Sequence, residues 1–177
     1  MLRFYYTIIS EENTPQTRPD LSLGGFRSST LVPNNSLGNL FSDISCYSVR
    51  ENQNEYVAII MVNETGADVT DVIFYFDYPE NRQKDLELAF VDLNSNNEME
   101  IIPNPYSQPF TAVFNSADGV GNALNIGDIS ANGTKGIWVK RILNLDNINV
   151  AYSDDNLDEN GNPQEADEDI VLVVSWT

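Results

Sequence analysis

Histidine is missing from this 177-residue chain, and cysteine occurs once, at Cys46. The first absence excludes histidine-dependent triads and histidine metal sites. The second excludes an intramolecular disulfide and a cysteine-built zinc cage, and with no histidine a Cys–His catalytic pair cannot exist. Bases are scarce as well: nine Lys and Arg stand against 27 Asp and Glu, for a net charge of −18. Such a chain carries no basic footprint for nucleic acid. No run approaches the ~20 apolar residues of a membrane span. The opening Met1 to Ser10 is soon broken by Glu11 and Glu12, too short for a secretory core, so we expect production and use without export. There is no Gly-rich phosphate loop and no Gly-x-Ser-x-Gly elbow. Two suitably spaced carboxylates would serve a glycosidase, but no pair stands out at a strand end. The sequence reads as non-enzymatic.

What is present fits one domain. Hydrophobic residues make up 41% and aromatics 10%, enough for a core in a chain that should bury roughly two-thirds of its unfolded surface. Charge is unevenly placed. Residues 1–50 hold four bases and four acids, whereas residues 51–177 hold five bases and 23 acids, eight of them within 153–169. An acidic, soluble body with a neutral N-terminal stretch is the plain reading. A functional one has acidic bodies repelling each other while the neutral stretch makes contacts.

Along the chain, Phe4 to Ile9 reads as a strand. Residues 11–36 contain Pro15, Pro19, Pro33 and Gly24-Gly25, so they read as extended, irregular chain. Leu21, Leu23, Phe26, Leu31 and Val32 give that arm an apolar side, which should lie against its own domain or a neighbour. Leu37, Leu40, Phe41 and Ile44 have helical spacing, weakened by Gly38, and predict one or two helical turns. Tyr56 to Val62 is apolar on both faces, as a central strand is. Period-two segments follow at 72–77, 86–91, 110–114, 124–129, 136–142 and 170–176, with a short one at 148–152. Asn63–Asp68 and Ala131–Thr134 are turn clusters. Seven to nine short strands predict an all-β antiparallel sandwich with an extended N-terminal arm and at most one short helix. The expected division is strand, arm and helical turn over 1–45 and sandwich body over 46–177.

Three chemistries remain to weigh. Asp154, Asn156, Asp158 and Glu165 have the ligand spacing of a calcium loop, but Glu159 stands where glycine is needed and Pro163 intrudes. Asp92, Asn94 and Asn96 repeat that spacing more weakly. Solvated hairpin loops are the simpler reading, so no cofactor is expected beyond this one calcium candidate. Tyr47, Tyr78, Tyr106, Tyr152 and Trp176, with 22 asparagines, offer a carbohydrate platform, whereas Trp138 in mid-strand belongs to a core. Cys46 reads as a small apolar residue.

Three segments in order resemble a group of tailed-bacteriophage virion structural proteins. They are Ser22-Leu23-Gly24-Gly25-Phe26-Arg27-Ser28-Ser29-Thr30 with Asn39-Leu40-Phe41, then Glu55-Tyr56 leading into a strand that ends Val62-Asn63. The third is Asn125-Ile126-Gly127-Asp128-Ile129 with Gly133 and Ile137-Trp138-Val139-Lys140-Arg141. Residues 77–110 depart from the group. The resemblance implies an immunoglobulin-like body without enzymatic activity, made in the host cytoplasm and carried in the virion. The high asparagine, low lysine and acidic body look like phages of gut Bacteroidota. The expected role is an auxiliary (decoration) capsid protein bound to the major capsid protein and present in symmetric copies of itself, with no nucleic-acid or membrane partner. A head–tail connector or tail ring component, and a carbohydrate-binding module on the virion surface, are the alternatives. The expected contact element is the arm, through Leu21, Leu23, Gly24, Gly25, Phe26, Arg27 and Leu31, able to add a strand to a neighbour's sheet edge.

Overall fold

Ten consecutive residues, Asn54–Asn63, form the strand that organises the molecule, and nine of them are buried. That burial follows from its place. It pairs antiparallel with Leu2–Ile8 on one side and Thr134–Ile142 on the other, and both of its faces are covered. A strand covered on two faces has no position for a solvated side chain. The computed structural model describes residues 1–34, 39–41, 53–78, 84–143 and 170–177. Among them the strands are β1 (Leu2–Ile8), β2 (Phe26–Leu31), β3 (Asn54–Asn63), β4 (Val69–Asp77), β5 (Leu86–Val91), β6 (Asn115–Ser116), β7 (Leu124–Ile129), β8 (Thr134–Ile142) and β9 (Val171–Ser175). Six form one sheet in the order β2-β1-β3-β8-β5-β6, and three form a second in the order β7-β4-β9. All their pairings are antiparallel, giving the expected all-β, two-sheet architecture.

The alternation of strand side chains divides the core in two. Val57, Ile59, Met61, Leu88, Ile137 and Val139 point inward from the large sheet and pack on Val72, Phe74 and Phe76 of β4. Phe74 is the hub there, edge-on to Phe4 at 6.1 Å and tilted against Phe90 at 4.9 Å. Tyr56, Ala58, Ile60, Ala89 and Trp138 point to the opposite face, where Leu23, Met99, Ile102 and Ala112 cover them. Full burial of each large apolar side chain contributes about 1.5–3 kcal/mol. Trp138 is fully buried, on the face opposite Ile137 and Val139.

Buried Asn63 ties the sandwich together at one end. Its amide donates to the carbonyls of Ala67, Ile129 and Ser130, linking the β3–β4 turn to the β7–β8 turn.

The N-terminal segments belong to the same sheet as β3 and β8. Between Tyr5 and Thr7 the β1–β2 register shifts. On the other side of β1 the β1–β3 ladder ends at Tyr6 and Ile59, and Ser22 continues between the two strands. Its hydroxyl accepts from Thr7 N at 2.7 Å and donates to Ala58 O at 2.6 Å, while Ala58 N donates to Ser22 O at 2.8 Å. Residues 13–16 run along the outer edge of β2, with Asn13 N on Arg27 O and Ser29 N on Thr14 O, both at 2.9 Å. A covered edge offers fewer free groups for strand addition. The expected boundary at 45/46 lies outside the described residues.

Three sequence expectations meet the structure differently. Phe26–Leu31, read as part of an irregular arm, is the strand β2, because β1 offers it a free edge to pair with. Phe110–Phe114 is not a strand. Three prolines at 103, 105 and 109 deny the preceding backbone its ladder donors, and the segment passes over the outer face as irregular chain until β6. The helical turn near 37–44 is described only at 39–41, which are bends; Leu37, Ile44, Cys46 and the short strand expected at 148–152 lie outside the described residues.

Candidate docking surface

The outer face of the large sheet is closed mainly by one long connection, residues 92–114, with Leu23 beside it, rather than by a second sheet. Its first turn is built by Asn94, whose side-chain oxygen accepts from the N–H of Asn96 at 2.8 Å and of Glu98 at 3.0 Å. Asp92 pairs with Lys135 at 2.6 Å. The weaker calcium spacing in the sequence is therefore a self-capped turn. Among the described residues, no group of three or more His, Cys, Asp or Glu could hold a metal ion. Asp154, Asn156, Asp158 and Glu165 lie outside them.

The chain then crosses the glycine pair. Gly25 and Met99 exchange backbone hydrogen bonds at 3.2 and 2.9 Å, and Ile102 N donates to Leu23 O at 3.0 Å. Gly24 has φ +96°, and a Cβ there would stand 1.8 Å from the Glu100 carbonyl oxygen. Only glycine permits both the conformation and the approach.

From Ile101 to Ala117 the sequence contains no Asp, Glu, Lys or Arg, in a chain where such residues make up 20%. Ile102, Pro109 and Ala112 turn inward and are buried. Between them Phe110 is 98% exposed and Val113 76%, with Ile101 and Tyr106 partly exposed beside them. Solvent does not hold a phenylalanine in that position; the backbone does. The Glu100 carboxylate accepts from Phe110 N at 2.8 Å, Thr111 N at 2.8 Å and the Thr111 hydroxyl at 2.7 Å. Burial pushes the Glu100 carboxyl up, but these hydrogen bonds outweigh it and hold it below its ordinary value.

Three acids around the loop are paired with lysines, whereas Glu98 and Glu100 are bonded only to neutral groups among the described residues. Asp92 before it pairs with Lys135, Glu87 on β5 pairs with Lys140 at 2.8 Å, and Asp118 after it pairs with Lys84. Those are all the lysines in the chain. Lys84, then Asn122, holds Asp118 down at about 2. Lys140 also lies 5.8 Å from the centre of the Phe114 ring, which packs on Tyr56 at 5.4 Å.

The structure places most of the arm residues inside the domain. Leu23 is buried, and Gly24 and Gly25 are locked against the 99–102 backbone. Phe26 is half-buried. The Arg27 guanidinium lies 5.3 Å over the Tyr5 ring and donates to Asn13 at 2.9 Å. Leu21 and Leu31 are the two with substantial exposure. Of the aromatic candidates, Tyr78 is a packing residue: its hydroxyl accepts from Leu86 N at 2.9 Å and its ring meets Phe76. Tyr106 sits in the loop over the outer face and Trp176 follows β9 of the small sheet, while Tyr47 and Tyr152 lie outside the described residues. An opening of about 870 Å³ between the sheets is lined mainly by apolar side chains, with Arg3 and Arg141 at its wall. Both arginines are held by carboxylates, Arg3 by Glu64 at 3.0 Å and Arg141 by Glu55, with its Nε at 2.8 Å.

Phe110 and Val113 are thus the exposed apolar residues that sequence reasoning assigned to a half-buried strand. The signal for them was the charge-free stretch, which period-two counting passes over. Comparison of the chain with protein-family models, with curated proteins and with solved structures finds no match.

Proposed function

We propose that this protein is a non-enzymatic structural component that works by docking onto another protein surface. The setting its sequence resembles, a tailed-phage virion with the chain as auxiliary capsid protein, is where we place that role. One observation carries the docking reading: Phe110, almost wholly exposed, is presented by a backbone that Glu100 fixes, inside 17 residues without a charge. Interface centres are depleted of charge and enriched in aromatics, and a rigid aromatic anchor loses little conformational freedom on binding. The capsid setting rests on the ordered segments of residues 22–141 alone. The contact element shifts from the arm to the 101–117 loop, because the arm residues already serve the chain's own sheet.

The test is the number of copies per purified virion, by quantitative mass spectrometry against the major capsid protein, for the parent chain and for Phe110→Ser. A copy number that follows the capsid lattice, and falls at least tenfold in the variant, supports the reading. Absence of the parent chain from particles overturns the virion setting, and an undiminished Phe110→Ser count overturns the loop.

A further inference from the structure

We infer that a small polar pocket beside the outer cover of the large sheet binds a single neutral sugar residue. The inference is independent of the docking reading. An opening of about 200 Å³ has Ile60 of β3 and Leu93 as its apolar part. Its polar part comes from four separate stretches of chain: Glu12, Arg27 of β2, Asn97, and Asn132 with Thr134. Unused hydrogen-bonding capacity is what marks it. The Arg27 Nε is buried and has no partner among the described residues, although another nitrogen of the same guanidinium reaches Asn13 at 2.9 Å. Native proteins rarely leave a buried donor so. The side chains of Glu12, Asn97, Asn132 and Thr134 likewise make no hydrogen bond among the described residues. Asn97 and Asn132 both hold a left-handed backbone, with φ 62° and 61°. Glycine takes that conformation most freely. Asparagine takes it too and brings a carboxamide to the rim.

The donors and acceptors select the ligand. Arg27 only donates, ionised Glu12 only accepts, and the two carboxamides and the Thr134 hydroxyl do both. One charge of each sign leaves the pocket without net charge, in a chain that carries −18. An anion would meet one carboxylate for its one cation. An amino-acid zwitterion would engage Arg27 and Glu12 and leave Asn97, Asn132 and Thr134 unused. Sugar hydroxyls each donate and accept, and a ring presents several at fixed spacing, enough to serve all five side chains. Its C–H face can lie on Ile60 and Leu93. Size limits the ligand to one ring, because pockets for drug-sized molecules run to about 300–1,000 Å³. With so few atoms in contact, binding falls in the millimolar range.

NMR titration of the isotope-labelled full chain tests this, with the methyl glycosides of glucose, galactose, mannose and N-acetylglucosamine, each from about 0.5 mM to about 50 mM. At least one glycoside should saturate with a Kd of about 1–10 mM. It should shift the backbone amides of Glu12, Arg27, Asn97 and Asn132 together with the Arg27 Nε–H signal. Asn97→Gly and Asn132→Gly keep the left-handed turns and each remove one carboxamide; either should weaken binding about fivefold, with an unchanged circular dichroism spectrum. Arg27→Lys keeps the charge without the Nε–H and should weaken it about tenfold. Phe110→Ser should leave it unchanged, which separates this pocket from the docking loop. No saturable shift with any of the four glycosides overturns the inference. So does a response centred on other residues, or binding undiminished in both asparagine variants. Tighter binding of acetate or of glycine than of every glycoside would mark an ionic site and overturn the sugar.

Discussion

The two faces of the large sheet are covered in different ways. The inner face meets a second sheet, so its side chains follow the strand period and end in a continuous core around Phe74. The outer face meets irregular chain, so coverage depends on single inward residues, Leu23, Ile102 and Ala112, with outward ones between them. Sheet on sheet hides everything on the facing surfaces. Loop on sheet leaves side chains over, and that is how this molecule comes to expose Phe110 without weakening its core. Stability should belong mainly to the inner face, and the proposed contact to the outer one.

Four measurements would break or sharpen that comparison. Phe74→Ala removes the hub of the inner face and should cost about 3–5 kcal/mol in urea unfolding. A cost below about 1 kcal/mol would mean that the inner core is not the main source of stability. Next, Gly24→Ala forces a Cβ into the Glu100 carbonyl at a left-handed φ and should cost about 2–3 kcal/mol. Because Gly24 sits where arm and loop cross, hydrogen exchange should quicken at 99–102 before it does in β3; equal acceleration in both would show the outer cover to be inseparable from the sheet.

Acid should also act on the outer side first. The Glu100 carboxyl, which holds Phe110 and Thr111, lies below its ordinary 4.5. Groups lowered in the folded state stabilise it fully above their unfolded values and lose that contribution as pH falls through the folded ones. Hydrogen exchange at Phe110 and Thr111 should therefore rise as pH is lowered below about 4.5, after correction for intrinsic rates. Glu100→Gln should show the faster exchange already at neutral pH; protection equal to the parent's would remove Glu100 from its holding role. The smallest effect is expected for Phe110→Ser, within about 0.5 kcal/mol of the parent. A larger loss would show that Phe110 contributes to the fold.

Legibility in the sequence followed the same divide. β3, β4, β5, β7, β8 and β9 could be read from period-two patterning because a sheet interior imposes that period on whatever fills it. Tyr56–Val62, apolar at every position, correctly announced a strand covered on both sides. The outer cover imposes no period. Phe110–Phe114 alternates by composition but is bent by three prolines and held by Glu100, and neither a distant carboxylate nor an unladdered backbone leaves a periodic trace. Gly24-Gly25 reads in the sequence only as a mark of irregular chain; its partner, the backbone of 99–102, lies about 75 residues away, and no local rule reaches that far.

The ends of the loop over the outer face are fastened by main-chain groups. Gly25 and Met99 bridge at one end, and at the other Phe76 N donates to Ala117 O at 2.7 Å while Gly119 N donates to Phe76 O at 2.9 Å. Clasps made of backbone are indifferent to the side chains strung between them. Outward residues such as Phe110, Val113 and Tyr106 can therefore be exchanged one at a time while the inward ones stay. Under the proposed docking role, a lineage could change its partner by drift at a few positions, each step remaining folded, so residues 101–117 should diverge faster than the frame that carries them.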